Sequence, residues 1–116
     1  MSYISKLYAF LQIENKAQFR QVVRLLNPQP QDKGLEIGCG RGHVAKRVQE
    51  LSPETFGIDL NAQAVENGVA RNLKTMSAEN IGFPDNAFDK IYSFHTIEHV
   101  PNVAKALGEM ARVLKP

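Results

Sequence analysis

The sequence lacks the features that mark secreted and membrane-embedded proteins. It has a single cysteine, Cys39, so no disulfide can form within the chain, and such a chain suits a reducing compartment. No stretch approaches the roughly 20 apolar residues of a membrane span. The first ten residues also lack the basic start and apolar run of a signal peptide. We therefore expect a cytoplasmic protein without a membrane-embedded part.

A large charge of one sign is also missing. The 14 Lys and Arg residues nearly balance the 12 Asp and Glu residues, which leaves a formal charge of +2. The basic residues are scattered, and their longest run is the pair Lys46-Arg47. A nucleic-acid partner is therefore not indicated.

The composition is that of a globular protein, with 43% apolar and 22% charged residues among 116. This length corresponds to one domain. We predict that the domain has N-terminal helices over 1–31 and an α/β core over 32–116.

Two short amphipathic helices are predicted in the N-terminal part. The first has apolar residues at helical spacing, namely Ile4, Leu7, Tyr8 and Leu11. The second follows Asn15, a good N-cap, and its apolar face contains Phe19, Val22, Val23 and Leu26. Prolines at 28 and 30 then end helical structure.

From Gly34 onward, short strands and helices alternate. The predicted strands cover 34–38, 55–60, 73–77 and 90–94. The predicted helices cover 43–51, 62–72 and 102–114. Such alternation is typical of an α/β protein, with a parallel sheet and helices on both faces.

The most informative motif is the run Glu36-Ile-Gly-Cys-Gly-Arg-Gly42, which follows the first predicted strand and opens a helix. Its three glycines let the backbone turn sharply and approach a ligand closely, which a Cβ atom would prevent. Asp59 ends the second predicted strand, 17 residues after Gly42. An acid at that position can accept both ribose hydroxyls of an adenosine group.

The glycine spacing bears on which nucleotide binds. Dinucleotide-binding folds use G-x-G-x-x-G, whereas this turn reads G-x-G-x-G, and the Gly-Lys-Ser/Thr of phosphate-binding loops is absent. Glu36 would repel a pyrophosphate and attract a cationic amino-acid ligand. The motif therefore favours a positively charged adenosine compound.

Four segments occur in the order LEIGCGRG, FGIDLN, AENIGFPDNAFDKIYSFHTIEHVPN and EMARVLKP. Over residues 32–116 they resemble the class I S-adenosylmethionine-dependent methyltransferases of the small, quinone-biosynthesis-like type. The resemblance implies a Rossmann-like parallel sheet of order 3-2-1-4, truncated before strand 5. It also implies S-adenosylmethionine as the cofactor and methyl transfer by direct displacement.

The resemblance assigns roles to particular residues. It implies that Glu36 and Gly38 face the methionine end of the cofactor, that Asp59 holds the ribose, and that Leu60 packs beside the adenine. The full binding set that it implies is Glu36, Gly38, Cys39, Gly40, Gly42, Asp59, Leu60, Ser77, Ala78, Glu79 and Phe94. Ser77-Ala78 stands where the family has Asp-Ala, so Glu79 or a backbone amide would meet the adenine amino group.

Residues 95–99 read HTIEH, which also matches the H-x-x-E-H pattern of inverted zinc metalloproteases. Such a site needs a third ligand from a distant segment, and Glu109 is the only acid among the last 17 residues. In the methyltransferases this segment follows the fourth strand beside the transferable methyl group. Glu98 and His99 would then orient the loop there, and His95 would line the pocket.

A chemical role for the same segment stays open. Some family members bind a divalent metal through a similar E-x-x-E-H, although we predict no metal set here. His95 is the candidate catalytic base, because histidine titrates near neutral pH. Cys39 is expected to fill tight space in the glycine turn and not to act as a nucleophile.

The region that selects the methyl acceptor in relatives follows the fourth strand and last helix, so the acceptor is not readable from this sequence. Two functions are therefore predicted as alternatives: a methyltransferase or its cofactor-binding part, and a non-catalytic binding subunit that needs a partner. The fourth strand would be an apolar edge, which predicts a homodimer paired through that edge.

Overall fold

The computed structural model describes residues 16–94 and 97–116. The predicted first helix, with Ile4 and Leu11, and the candidate base His95 lie outside the described residues. Within the described ranges, every helix is too short or too polar to cross a membrane.

Four parallel strands form one sheet in the order β3-β2-β1-β4, which confirms the predicted order. The strands are β1 Lys33–Ile37, β2 Glu54–Asp59, β3 Leu73–Thr75 and β4 Lys90–Ser93. In the register of the sheet, Glu36 of β1 lies between Gly57 of β2 and Tyr92 of β4. Because paired residues of a parallel sheet point to the same face, these three positions share one side of the sheet.

The helices are α1 Lys16–Leu26, α2 His43–Gln49, α3 Ala62–Glu66 and α4 Val103–Val113, with a 3-10 turn at Ile97–His99. Two of them begin at asparagine caps. The Asn61 side chain accepts a hydrogen bond from the Ala64 amide, and the Asn102 side chain accepts one from the Lys105 amide, each at 3.1 Å.

The predicted helix over 62–72 was too long. α3 ends at Glu66 because the chain turns at Gly68, where a Cβ atom would lie 2.6 Å from Leu73 Cδ1. The next amide, that of Val69, donates to the Arg41 carbonyl at 2.7 Å instead of continuing the helix. The predicted strand over 73–77 was also too long, since β3 ends at Thr75 and Ser77 forms an isolated bridge with Asn80.

Both faces of the sheet are covered, as predicted. One face carries α1 and α2 over a buried cluster of Phe19, Val48, Tyr92 and Phe94. The Arg47 guanidinium lies 3.8 Å from the centre of the Phe19 ring and ties α2 to α1. The other face packs against α4 around Leu35, Ile37, Ile58, Ile81, Phe88 and Val113.

The outer edge of β4 is covered only at its start. The Phe88 amide donates to the Val113 carbonyl at 2.9 Å, and the Lys115 amide donates to the Phe88 carbonyl at 2.8 Å. Among the residues that the structure describes, no strand pairs with the rest of this edge. The chain after α4 therefore pairs with the residues just before β4, which the predicted open edge did not include.

Candidate functional site

The glycine turn after β1 has the backbone geometry that its sequence requires. Gly38, Gly40 and Gly42 have φ values of 73°, 55° and 84°, a region that side-chain-bearing residues rarely adopt. A Cβ atom on Gly42 would also lie 2.8 Å from Leu73 Cδ1. The amides of Gly38 and Cys39 both donate to the Ile58 carbonyl, at 2.8 and 2.9 Å. The turn is therefore held against the carboxyl end of β2.

Asp59 joins the two parts of the predicted site. Its Oδ2 accepts a hydrogen bond from the Gly40 amide at 2.8 Å, and its Oδ1 accepts one from the Asn61 amide at 2.8 Å. Each carboxylate oxygen has a second lone pair. Asp59 can therefore hold the turn in place and still accept hydrogen bonds from a ligand.

A cleft of about 360 Å³ lies at the carboxyl ends of the strands, which is within the usual size range of small-molecule sites. Seven of the predicted binding residues line it: Gly38, Asp59, Leu60, Ser77, Ala78, Glu79 and Phe94. They lie at or just after the carboxyl ends of β1, β2, β3 and β4, so all four strands contribute. This is where ligands bind in open α/β sheets.

The other predicted binding residues, Glu36, Cys39, Gly40 and Gly42, do not line the cleft wall. The six lining residues that the predicted set left out are Ile37, Ile58, Met76, His99, Val100 and Pro101. Most are apolar side chains at strand or loop ends, and no motif distinguishes them from core residues. His99 could have been predicted as a site residue, because it belongs to the HTIEH motif.

Glu36 is buried beneath the turn, with 2% of its surface exposed. Its Oε1 atom has no hydrogen-bond partner among the described residues, and the same holds for the Tyr92 hydroxyl. Burial raises the pKa of Glu36 well above its ordinary value. The Tyr92 hydroxyl and the Ala45 amide oppose this rise in pKa, whereas the charge of Asp59 adds to it.

Cys39 behaves as a packing residue. It is buried, and its Sγ lies 3.5 Å from the Gly40 carbonyl oxygen. Burial, together with the nearby acids Glu36 and Asp59, raises the pKa of its thiol to about 12. The thiolate that a nucleophile requires is therefore disfavoured, in keeping with the space-filling role expected from the sequence.

Glu79 lies in the cleft wall close to the position from which the expected acid is missing. Its amide donates to Ser77 Oγ at 3.0 Å, and its Oε2 lies 3.4 Å from the Asn102 amide at the start of α4. A carboxylate thus remains available on this side of the cleft, although it is displaced along the chain.

The HTIEH segment is described only in part. His99 lines the cleft, but His95 lies outside the described ranges. In the part of the chain that the structure describes, no three His, Cys, Asp or Glu side chains lie together in a way that could hold a metal ion. The metal and general-base alternatives for this segment stay predictions.

A family model described as methyltransferase domain matches residues 35–116. The chain belongs to this family. Its match begins within β1 and includes the glycine turn, Asp59 and every residue of the cleft wall. Membership makes S-adenosylmethionine the expected cofactor.

Individual proteins support the assignment. A sterol 24-C-methyltransferase of Neurospora crassa is 33% identical over 95 residues, covering 72% of this chain and 25% of that protein. A mitochondrial arginine-hydroxylase of Rattus norvegicus is 34% identical over 87 residues, covering 71% and 25%. The crystal structure of YcgJ from Bacillus subtilis matches with a TM-score of 0.79 and 29% identity, covering 84% of this chain and 45% of that one. This chain therefore covers about a quarter of the length of these two curated relatives.

The cleft fits the expected cofactor. S-adenosylmethionine has an adenosine part and a cationic amino-acid part. The wall offers apolar surface and, in Asp59 and Glu79, two carboxylates that can accept hydrogen bonds. The Glu36 carboxyl lies behind this wall, and its Oε1 has no hydrogen-bond partner in the part of the chain that the structure describes.

Proposed function

We propose that this chain is the S-adenosylmethionine-binding part of a methyltransferase and that the cofactor lies in the cleft at the strand ends. The observation that carries the proposal is the convergence of Gly38, Asp59 and Glu79 on one cleft, at the ends of β1, β2 and β3. The glycine turn allows close approach of the backbone, and the two acids provide acceptors for hydroxyl and amino groups.

The adenosine half would occupy the side formed by β2 and β3. Asp59 would accept the ribose hydroxyls, because its carboxylate is already fixed by the Gly40 and Asn61 amides. Leu60 is 69% exposed and lines the cleft, and the adenine would cover its side chain. Ser77 and Ala78 would line the same side, and Glu79 would accept from the adenine amino group.

The methionine half would lie over the glycine turn. Glu36 would accept from the ammonium group, Gly38 would approach the ligand through its backbone, and Phe94 would form the wall after β4. Cys39, Gly40 and Gly42 would shape this part of the site from behind. When bound, S-adenosylmethionine supplies an activated methyl group on a sulfonium. The protein would align that group with the acceptor, which is the main requirement for a direct displacement.

His95 would act as the base where an acceptor needs deprotonation, because it comes two residues after β4 in the sequence. The relatives are named for different substrates, a sterol in one case and arginine in another. We therefore assign no acceptor. We propose a cytoplasmic location, because a chain with a single cysteine suits a reducing compartment.

A non-catalytic subunit of the same fold is the alternative, and no specific observation favours it. We also propose a homodimer, since the outer edge of β4 beyond Phe88 has no partner strand among the described residues. An edge of this kind invites pairing with another chain.

Calorimetric titration of the protein tests the main proposal. We expect S-adenosylmethionine and S-adenosylhomocysteine to bind and NAD not to bind at the same concentrations. Glu54→Ala is the control for nonspecific effects, because Glu54 is exposed at the opposite end of β2. Binding of NAD without a response to S-adenosylmethionine would refute the proposal.

A further inference from the structure

Tyr92 and Glu36 form a buried polar pair on adjacent strands. They are register partners of β4 and β1, and each is 2% exposed. In residues 16–94 and 97–116, the Tyr92 hydroxyl and Glu36 Oε1 are the two buried side-chain polar atoms that have no hydrogen-bond partner. A buried polar atom without a hydrogen bond lowers the stability of the folded state. The presence of two such atoms side by side therefore needs a physical explanation.

Packing alone does not require the hydroxyl group. The Tyr92 ring lies 5.4 Å from the Phe94 ring, within the apolar cluster that includes Phe19 and Val48. A phenylalanine would make the same apolar contacts and would strand no polar atom. The packing of the ring therefore does not account for the hydroxyl.

The groups around Glu36 include no cation that would balance its charge. The space over Gly57, its register partner on β2, is filled by Cys39 and Leu73. The groups that influence its ionisation are the Tyr92 hydroxyl from β4, the Ala45 amide from α2 and the Asp59 carboxylate from the end of β2. The Cys39 thiol of the turn is near enough to respond to its charge. None of these groups carries a positive charge.

We propose that Tyr92 is a positioning residue that selects ligands with an α-ammonium group: its hydroxyl donates to the Glu36 carboxylate while the ammonium group binds the same carboxylate. Tyr92 acts through Glu36 and does not itself line the cleft. The inference rests on the proposed function, because it requires the methionine end of the cofactor to lie over the glycine turn.

A pH dependence follows from the same arrangement. Burial favours the neutral carboxyl group of ligand-free Glu36 by raising its pKa, and the Tyr92 hydroxyl partly lowers that pKa. An ammonium ligand needs the ionised form, so its affinity should rise with pH until the pKa of free Glu36 is passed. Without the hydroxyl this pKa is higher still, so the rise in affinity should move to higher pH.

The test compares two ligands that share their adenosine and thioether parts. S-adenosylhomocysteine has the amino-acid group, and 5′-methylthioadenosine lacks it. We expect Tyr92→Phe to lower the affinity for S-adenosylhomocysteine about ten-fold, which corresponds to the loss of a hydrogen bond to a charged group. The affinity for 5′-methylthioadenosine should stay within about two-fold. The double variant Tyr92→Phe, Glu36→Gln should bind S-adenosylhomocysteine as weakly as Glu36→Gln alone. The reason is that Tyr92 is proposed to act only through the Glu36 carboxylate.

Ser93→Ala is the matched control. It also removes a buried hydroxyl from β4, one that donates to the Ile37 carbonyl at 3.1 Å, and it should not discriminate between the two ligands. Tyr92→Phe keeps the ring and its apolar contacts, so the variant is expected to fold, which thermal unfolding would check.

The outcomes separate the inference from the proposed function. Equal weakening of both ligands by Tyr92→Phe would overturn the inference. So would an unchanged affinity for S-adenosylhomocysteine, or a pH profile identical to that of the wild type. Failure of the wild-type protein to bind either ligand would overturn the proposed function itself, and the inference with it.

Discussion

The Asp59 carboxylate accepts a hydrogen bond at 2.8 Å from the amide of Gly40, and this contact joins the end of β2 to the glycine turn after β1. The two residues are 19 positions apart in sequence. Their contact means that the group proposed to bind the ribose also holds the loop proposed to lie under the methionine.

We predict that Asp59→Ala weakens S-adenosylhomocysteine binding by about 1–3 kcal/mol, because ribose hydroxyls and the Gly40 amide both lose their acceptor. The protein should still fold, since Asp59 lies at the end of its strand. Calorimetry measures the change, with Glu54→Ala as the acid-to-alanine control on the same strand. Unchanged affinity in Asp59→Ala would show that the ribose assignment is wrong.

The close packing beneath the turn gives a prediction about stability. A Cβ atom on Gly57 would lie 2.7 Å from Cys39 Cβ and 2.8 Å from Leu73 Cδ2. Gly57→Ala should therefore lower the free energy of unfolding by about 1–3 kcal/mol, the usual cost of overpacking a core. It should also weaken cofactor binding, because Cys39 lies within the turn.

Gly108→Ala is the matched control for Gly57→Ala. Gly108 lies in α4, and a Cβ atom there would have nothing within 4 Å. This substitution should raise the free energy of unfolding by up to about 1 kcal/mol, from helix propensity alone. Denaturant-induced unfolding measures the free energy of unfolding of both variants. Equal effects of the two substitutions would contradict the packing argument.

Buried Glu36 should make the stability of the ligand-free protein depend on pH. Its pKa is raised above the ordinary value of 4.5 in the folded state, so the folded state binds more protons than the unfolded state above that pH. Its stabilising contribution is therefore complete below pH 4.5 and is lost as pH rises through the folded pKa. Glu36→Gln should remove this dependence and be the more stable protein at alkaline pH.

The measurement for Glu36 is the difference in free energy of unfolding between wild type and Glu36→Gln, taken across a pH series. Taking this difference cancels the pH-dependent contributions of other groups to stability. Asp89 and Glu109 are two such groups, since their pKa values are lowered in the folded state. A difference that stays constant with pH would mean that Glu36 titrates normally.

We predict self-association through the β4 edge. Light scattering at rising micromolar concentrations should show a mass approaching that of two chains. Leu107→Lys is the control, because Leu107 is 47% exposed on α4 and offers the competing apolar surface. A dimer that survives Leu107→Lys supports edge pairing, whereas a monomer at all concentrations refutes it.

Much of the fold was predictable because its signals are local. The alternation of strands and helices, the glycine run and the acid after β2 each depend on residues close in sequence, and the structure has the sheet order β3-β2-β1-β4. The length of the helix after Asn61 was not predictable in this way. It ends early because Gly68 must pack against Leu73, a contact that no local pattern encodes.

The sequence by itself determined the chemistry available to the site: three glycines for a turn, carboxylates at 36, 59 and 79, and a family pattern that implies the cofactor. Tertiary structure decided which of these groups share an environment. It brought the Asp59 carboxylate within hydrogen-bond distance of the Gly40 amide. It also buried Glu36 beside Tyr92, which is 56 residues away in the chain. The physical reason is that strand pairing brings distant residues together, and burial then sets how strongly their polar groups interact.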